Sequence, residues 1–163
     1  MIADRTALER SPAHTLALDC VESAIEAADP ERATREAVAR DGDTLTVAGA
    51  EYELGAYESV VVVGGGKAAV GVARALERRL GDRLTDGCVV AEHAADLQRV
   101  RVRVGDHPVP GDRNAAATAE LLERVADADA ATLVLVVVTG GASALLTAPA
   151  GELSLAPVRK TTD

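Results

Sequence analysis

Residues 60–67 join four valines, three glycines and a lysine in one unbroken run, VVVVGGGK. Consecutive β-branched apolar residues are typical of a strand that is buried on both faces, as in a parallel sheet. Apolar positions then recur at helical spacing over residues 67–80. A buried strand, a tight turn and a helix predict an α/β fold, in which ligands bind beyond the carboxyl ends of the strands.

Three more strand-like runs follow, and helical patterns lie between them. The runs are Cys88–Ala91, Val100–Val104 and Leu133–Val138, and a second helical pattern covers residues 112–126. Apolar residues on consecutive positions predict that the last run, like the first, is buried on both faces. We therefore expect an α/β fold with a Rossmann-like, mostly parallel sheet flanked by helices.

The N-terminal part predicts a helical pair and a β-hairpin in front of that sheet. Ser11-Pro12 is typical of a helix start, and Asp29-Pro30 ends this helix and starts a second one that runs to about Arg40. Two short alternating runs, Thr44–Val47 and Glu51–Leu54, flank Ala-Gly-Ala and predict the hairpin.

The charge of the chain argues against one class of partner. The net charge is -9, and an acidic surface repels a phosphate backbone, so we expect no nucleic-acid partner. Lys67 and Lys160 are the only lysines among 17 basic residues. An acidic, arginine-rich composition favours a halophilic protein, in which salt screens the self-repulsion. GC-rich codon use is the alternative explanation for the arginines, but it accounts less well for the excess of acid.

No stretch approaches the ~18 consecutive apolar residues of a membrane span, and the N-terminus lacks the apolar core of a signal peptide. We therefore expect a cytoplasmic protein without a membrane partner. Cys20 and Cys88 fit no metal-binding spacing, and both are expected to be small core residues.

The first glycine turn, Gly64, Gly65 and Gly66, is a candidate anion site, because the N–H groups of the following helix would face the ligand. It is not a Walker A loop, which needs a glycine where Val61 stands and a serine or threonine where Ala68 stands. A relaxed dinucleotide pattern does match, with Glu92 as the one candidate for a ribose hydroxyl. Lys67 favours phosphoryl chemistry because lysine is a compact, mobile charge, although a solvated lysine at a helix start is the plainer interpretation.

Two more segments complete the candidate site. Thr139, Gly140, Gly141 and Ser143 form a second turn after a buried strand, and they offer hydroxyls and N–H groups to an anion. Between the two turns, His107 lies in a proline-stiffened loop, DHPVPGD, where an ordinary loop histidine is an equally good interpretation.

Residues 60–77, 105–112 and 133–156 together resemble the N-terminal part of the glycerate 2-kinases whose C-terminal part is the MOFRL domain, a family also named hydroxypyruvate reductase. The resemblance runs in the same order along essentially the whole chain. It implies ATP-dependent phosphorylation of D-glycerate at the 2-hydroxyl, with Mg²⁺. It also implies that Lys67 is the catalytic, phosphate-handling residue, and that the second turn and the His107 loop bind nucleotide or substrate.

The chain departs from the family's pattern at three positions. Thr139 stands for a serine, Ala142 for a glycine that would permit positive φ, and Gly111 for an aspartate. Family members are more than twice as long, so the resemblance implies one N-terminal domain, residues 1–163, without the MOFRL domain. We expect such a fragment to be inactive alone, with the missing half or self-association as its partner.

Two alternatives stay open. An NAD(P)H-dependent hydroxypyruvate reductase would place a pyrophosphate on the first turn, and a non-catalytic α/β remnant would bind nothing. The sequence points to no metal ligands, so Mg²⁺ would arrive with the nucleotide.

Overall fold

A computed structural model describes residues 2–162, which form two sheets and seven α-helices. The strands are β1 (Val38–Asp41), β2 (Thr44–Val47), β3 (Ala50–Glu53), β4 (Ser59–Gly65), β5 (Asp86–Ala91), β6 (Arg101–Val104) and β7 (Thr132–Val138). The helices are α1 (Arg5–Leu8), α2 (Pro12–Ala27), α3 (Pro30–Ala37), α4 (Ala69–Leu80), α5 (Asp112–Ala126), α6 (Ala142–Leu145) and α7 (Leu155–Thr162). No helix in this part of the chain is long and apolar enough to cross a membrane.

The larger sheet is parallel and has the strand order β6-β5-β4-β7. The chain runs outward from β4 to β6 and then returns to the other side of β4, which is the order of the first four strands of a Rossmann sheet. This confirms the predicted fold class. The order reverses between β4 and β7, and a crevice at such a reversal is the usual ligand site of an α/β sheet.

Strand β4 is buried on both faces, as its four valines predict. Val60 and Val62 belong to the core that includes Leu76 and Leu80 of α4. Val61 and Val63 face the opposite way and pack with Leu121 of α5. Successive side chains of a strand point to opposite faces, so both layers of helices meet on this one strand.

Strand β7 differs from the prediction, because one of its faces is covered only near its start, where Val134 packs against the core that includes Leu121. Leu133 and Val137 lie in the core, but the side chains of Val136 and Val138 on the other face are 67% and 69% exposed. The reason is positional: β7 is the edge strand, α5 packs over β5 and β6, and α6 has only four residues.

The N-terminal prediction holds in part. Helix α2 begins after Ser11, whose hydroxyl accepts a hydrogen bond from His14 N–H, and the predicted hairpin is present as β2 and β3. The second helix is shorter than predicted: it ends at Ala37, and Val38–Asp41 forms β1, an additional strand that pairs antiparallel with β2.

The two cysteines have different environments. Cys88 is buried in β5, as predicted, and burial raises the pKa of its thiol. Cys20 is exposed, so its prediction as a core residue was wrong. The reason is that α2 buries none of its residues against the rest of the described chain, although Leu16, Val21 and Ile25 repeat at helical spacing.

The backbone of β7 approaches β4 too closely for any side chain at two positions of the first glycine turn. A Cβ on Gly64 would collide with the backbone of Val137, and a Cβ on Gly66 would collide with Thr139. Both glycines also have positive φ, +143° at Gly64 and +131° at Gly66. These glycines are therefore required by strand packing, independently of any ligand.

Three arginines surround Glu120 of α5 and join that helix to the sheet. Arg101 and Arg103 of β6 donate hydrogen bonds to its carboxylate, at 2.7 Å and 2.6 Å, and Arg124 donates at 3.2 Å. Partial burial by itself would raise the pKa of Glu120, but the hydrogen bonds from the three arginines outweigh it and lower this pKa to about 2.

We predict that Gly64→Ala destabilises the fold by roughly 2–5 kcal/mol, because it combines positive-φ strain with a backbone collision. Urea unfolding of the two proteins measures the difference. Gly140→Ala is the matched control, since a Cβ there has no atom within 4 Å. Equal losses in the two variants would contradict this account of the strand contact.

We further predict that Glu120 makes stability sensitive to acid. Its pKa in the folded protein lies below the ordinary value of 4.5, so its contribution is complete above about pH 4.5 and is lost as the pH falls towards 2. Glu120→Gln is therefore expected to lower the free energy of unfolding at pH 7 and to flatten its decline over this pH range. Glu123→Gln, an exposed change on the same helix, should alter neither quantity; thermal unfolding across pH measures both.

Candidate functional site

Three turns meet at the carboxyl edge of the parallel sheet, beside the reversal between β4 and β7. They are the first turn at Gly66 and Lys67, the second turn at 139–143, and the loop that carries His107 after β6. Lys67, Gly140 and Ser143 are exposed, whereas Thr139 and His107 are half-buried. The sequence predicted all of these residues as site residues, and the fold brings them to one edge.

The N–H groups of the first turn bind the protein itself. Gly66 N–H donates to Val90 O at 3.0 Å, and Lys67 N–H donates to Gly140 O at 2.8 Å. Ala68 N–H donates to the hydroxyl of Thr139 at 3.2 Å. The expectation that the N–H groups around Gly66 would face an anion therefore needs correction: these groups donate to β5 and to the second turn, and the first turn offers the ammonium of Lys67.

The free N–H donors lie in the second turn. Within residues 2–162, the N–H groups of Gly140, Gly141 and Ser143 have no hydrogen-bond acceptor. Gly141 adopts the left-handed conformation with φ of +87°, and Ala142 begins α6 in the helical region. The alanine at 142 is therefore compatible with the turn, because the positive φ falls one residue earlier.

Lys67 and His107 converge on Gly141. A Cβ on Gly141 would lie 3.1 Å from Cγ of Lys67 and 3.1 Å from Nε2 of His107. The lysine stem and the imidazole ring thus border the same small space above the second turn. No carboxylate within residues 2–162 lies within 4.0 Å of the Lys67 ammonium, which leaves its charge available to a ligand.

Asn114 holds the His107 loop in place, and the sequence analysis missed it. Its side chain is fully buried; its carbonyl oxygen accepts from the N–H groups of Asp106 and Gly111, and its amide donates to Asp106 O and Ala144 O. One side chain thereby joins the His107 loop to α6. A buried amide with all its bonds made is a strong constraint, but the sequence offers no sign that Asn114 points inward.

The other side of His107 faces a carboxylate. Nδ1 of His107 lies 3.2 Å from Oε1 of Glu92, which directly follows β5. Both residues line an open cleft of about 400 Å³ together with His93 and Arg113. Glu92, the candidate for a ribose hydroxyl, is thus engaged with the histidine.

This set of groups is suited to binding an anion. It combines one free ammonium, two hydroxyls and three free N–H donors, which are the partners that phosphate and carboxylate oxygens require. Within the described residues, no three histidine, cysteine or acidic side chains gather into a metal-binding cluster. A divalent cation would therefore need ligands from elsewhere, such as the phosphates of a nucleotide.

Several known proteins are similar to this chain in sequence. A family model described as "Domain of unknown function (DUF4147)" matches residues 16–163. The "Glycerate 2-kinase" of Pyrococcus horikoshii is 35% identical over 150 residues, which cover 91% of this chain and 33% of that protein. A protein of Agrobacterium vitis with a hydroxypyruvate reductase name is 37% identical over 98 residues, which cover 59% of this chain and 26% of that protein.

The fold is shared as well. The crystal structure of a glycerate kinase from Thermotoga maritima superimposes with a TM-score of 0.71 at 27% identity, covering 90% of this chain and 33% of that one. This chain thus spans about a third of the length of these relatives. It belongs to the DUF4147 family and is related to the N-terminal part of glycerate kinases.

Proposed function

We propose that the protein to which this chain belongs transfers a phosphoryl group from Mg²⁺·ATP to the 2-hydroxyl of D-glycerate. The observation that carries the proposal is the exposed side chain of Lys67, whose stem borders Gly141 beside the free N–H groups of the second turn, at the strand reversal. The names of relatives that are similar over about 90% of this chain support glycerate as the substrate.

The roles divide between the two turns. The ammonium of Lys67 would stabilise charge on the transferring phosphoryl group, since a single mobile cation can follow that group between its donor and its acceptor. Gly140, Gly141 and Ser143 would bind phosphate or carboxylate oxygens through their N–H groups. The hydroxyl of Thr139 accepts a hydrogen bond from Ala68 N–H and so positions the two turns relative to each other, while its own O–H can still donate to an anion.

Hydride transfer is the second candidate function, and the hydroxypyruvate reductase name of a relative supports it. A dinucleotide pyrophosphate would need the N–H groups of the first turn, but Val90, Thr139 and Gly140 already accept them. Glu92 is similarly engaged with His107. These contacts count against the dinucleotide and favour the kinase.

We predict that Mg²⁺·ATP raises the thermal unfolding temperature of the chain in molar KCl and that Lys67→Ala abolishes the rise. At a ligand concentration ten times Kd, the gain is about 1.4 kcal/mol, or roughly 3–6 °C for a chain of this size. Lys160→Ala is the matched control. It removes the other lysine of the chain, which is exposed and lies in α7.

NADH in parallel samples separates the two candidates. A rise with Mg²⁺·ATP in the wild type and in Lys160→Ala, but not in Lys67→Ala, supports the kinase. A rise with NADH and none with Mg²⁺·ATP contradicts it and favours the reductase. An equal rise with Mg²⁺·ATP in all three chains would mean that nucleotide binds away from Lys67, which also contradicts the proposed site.

A further inference from the structure

We infer that Glu92 holds His107 with its proton on Nδ1, and that the bare Nε2 is the acceptor for the proton of the substrate's 2-hydroxyl. The identity of the substrate rests on the proposed function. The tautomer of His107 does not, because it follows from contacts within the chain.

The contact with Glu92 decides which ring nitrogen carries the proton. A neutral imidazole has one N–H and one lone pair, and its surroundings select between the two forms. Oε1 of Glu92 lies 3.2 Å from Nδ1. At this distance the negative oxygen repels a lone pair on Nδ1 and attracts a proton there. Nε2 is therefore the nitrogen with the free lone pair.

Nε2 faces the site. It borders the space above Gly141, where an added Cβ would lie 3.1 Å from it, and the stem of Lys67 borders the same space. Within residues 2–162, Nε2 has no hydrogen-bond partner. A proton acceptor thus borders the same space as the stem of the lysine proposed to follow the phosphoryl group, where an attacking hydroxyl would need it.

The ring is also held at a fixed position. Asn114 binds both backbone groups of Asp106, the residue before His107, and ties the loop to Ala144 O in α6. A base must be held within hydrogen-bonding distance of the proton it takes, so this support matters to the chemistry. His107 would touch the substrate, while Glu92 and Asn114 are positioning residues.

The proposed step couples the transfer of a proton to His107 with the transfer of the phosphoryl group. The 2-hydroxyl of glycerate gives its proton to Nε2, and its oxygen forms a bond to the γ-phosphorus of ATP while the bond from that phosphorus to the bridging oxygen of ADP breaks. His107 becomes an imidazolium, which the charge of Glu92 stabilises. The proton then leaves to solvent, and the neutral ring is restored.

Nitrogen-15 NMR of the 163-residue chain, labelled at histidine, tests the tautomer directly at a pH where the rings are neutral. The chain has only three histidines, and His107→Gln assigns the signal of interest. We expect the wild-type Nε2 resonance in the position of an unprotonated nitrogen. Glu92→Ala should shift the ring towards the Nε2–H form. Glu92→Gln should keep the Nδ1–H form, since its side-chain carbonyl can still accept.

Asp96→Ala is the matched control, because it removes a carboxylate from the same segment that lies in another cleft, with Arg74 and Glu77. It should leave the tautomer unchanged. A protonated Nε2 in the wild type overturns the inference, and so does a ring that is unaffected by Glu92→Ala. The wild-type spectrum alone decides the first point if the alanine variant does not fold.

Titration with D-glycerate tests the substrate contact. Its 2-hydroxyl should shift the Nε2 resonance of His107, and 3-hydroxypropionate, which lacks that hydroxyl, should not. Equal shifts with both compounds, or none with either, overturn the assignment of the proton acceptor. A selective shift in a chain that Mg²⁺·ATP does not stabilise would contradict the proposed kinase and still support this contact.

Discussion

The close contact between β4 and β7 is the constraint on which the rest of the site depends. Gly64 and Gly66 carry no side chain, so the backbone of Val137 and the hydroxyl of Thr139 can lie where Cβ atoms would otherwise be. The contact continues past the ends of the strands, where Thr139 N–H donates to Gly65 O and Lys67 N–H donates to Gly140 O. The two glycine turns therefore form one interlocked unit.

This interlock decides how positive charge is distributed over the site. Backbone N–H groups in a glycine turn are the usual anion donors of α/β proteins, but in the first turn they are already bonded to β5 and the second turn. The first turn therefore offers an anion the side chain of Lys67. The second turn offers it the N–H groups of Gly140 and Gly141. A mobile cation together with fixed N–H donors suits a phosphoryl group that is transferred between two molecules. It is less well suited to an anion that is only bound.

The sequence predicted the elements well where one strong local pattern decides them. The valines of β4 alternate between two hydrophobic cores, as expected for a strand that is buried on both faces. The helical pattern over residues 112–126 coincides with α5. Predictions failed where tertiary contacts decide. Val38–Asp41 continues a helical pattern but pairs with β2, and Val136 is apolar although its side chain on the edge strand is 67% exposed. Periodicity cannot show how far a neighbouring helix extends.

The sequence predicts which turns form the site, but it does not predict which hydrogen bonds and contacts their N–H groups and side chains make. Glycine spacing and the topological rule place Lys67, His107 and the second turn at one edge of the sheet. Which N–H groups are already bonded depends on the approach of β7, and the contact between Glu92 and His107 depends on the packing of two loops that are 15 positions apart in the sequence. Asn114 gave no signal because a buried amide and a solvated one look alike in a sequence.

The glycine at position 111, near His107, where the family's pattern has an aspartate, also has a physical basis. A Cβ at position 111 would collide with the carboxylate of Asp106, so the side chain of Asp106 occupies the space into which a residue larger than glycine would extend at 111. Gly111 N–H is meanwhile bonded to Asn114 at 3.0 Å. Gly111 and Asp106 therefore share one space: an aspartate at 111 would require the carboxylate of Asp106 to turn away from its present position. Asn114, which also binds the backbone of Asp106, holds this loop, and Nε2 of His107 borders the space above Gly141.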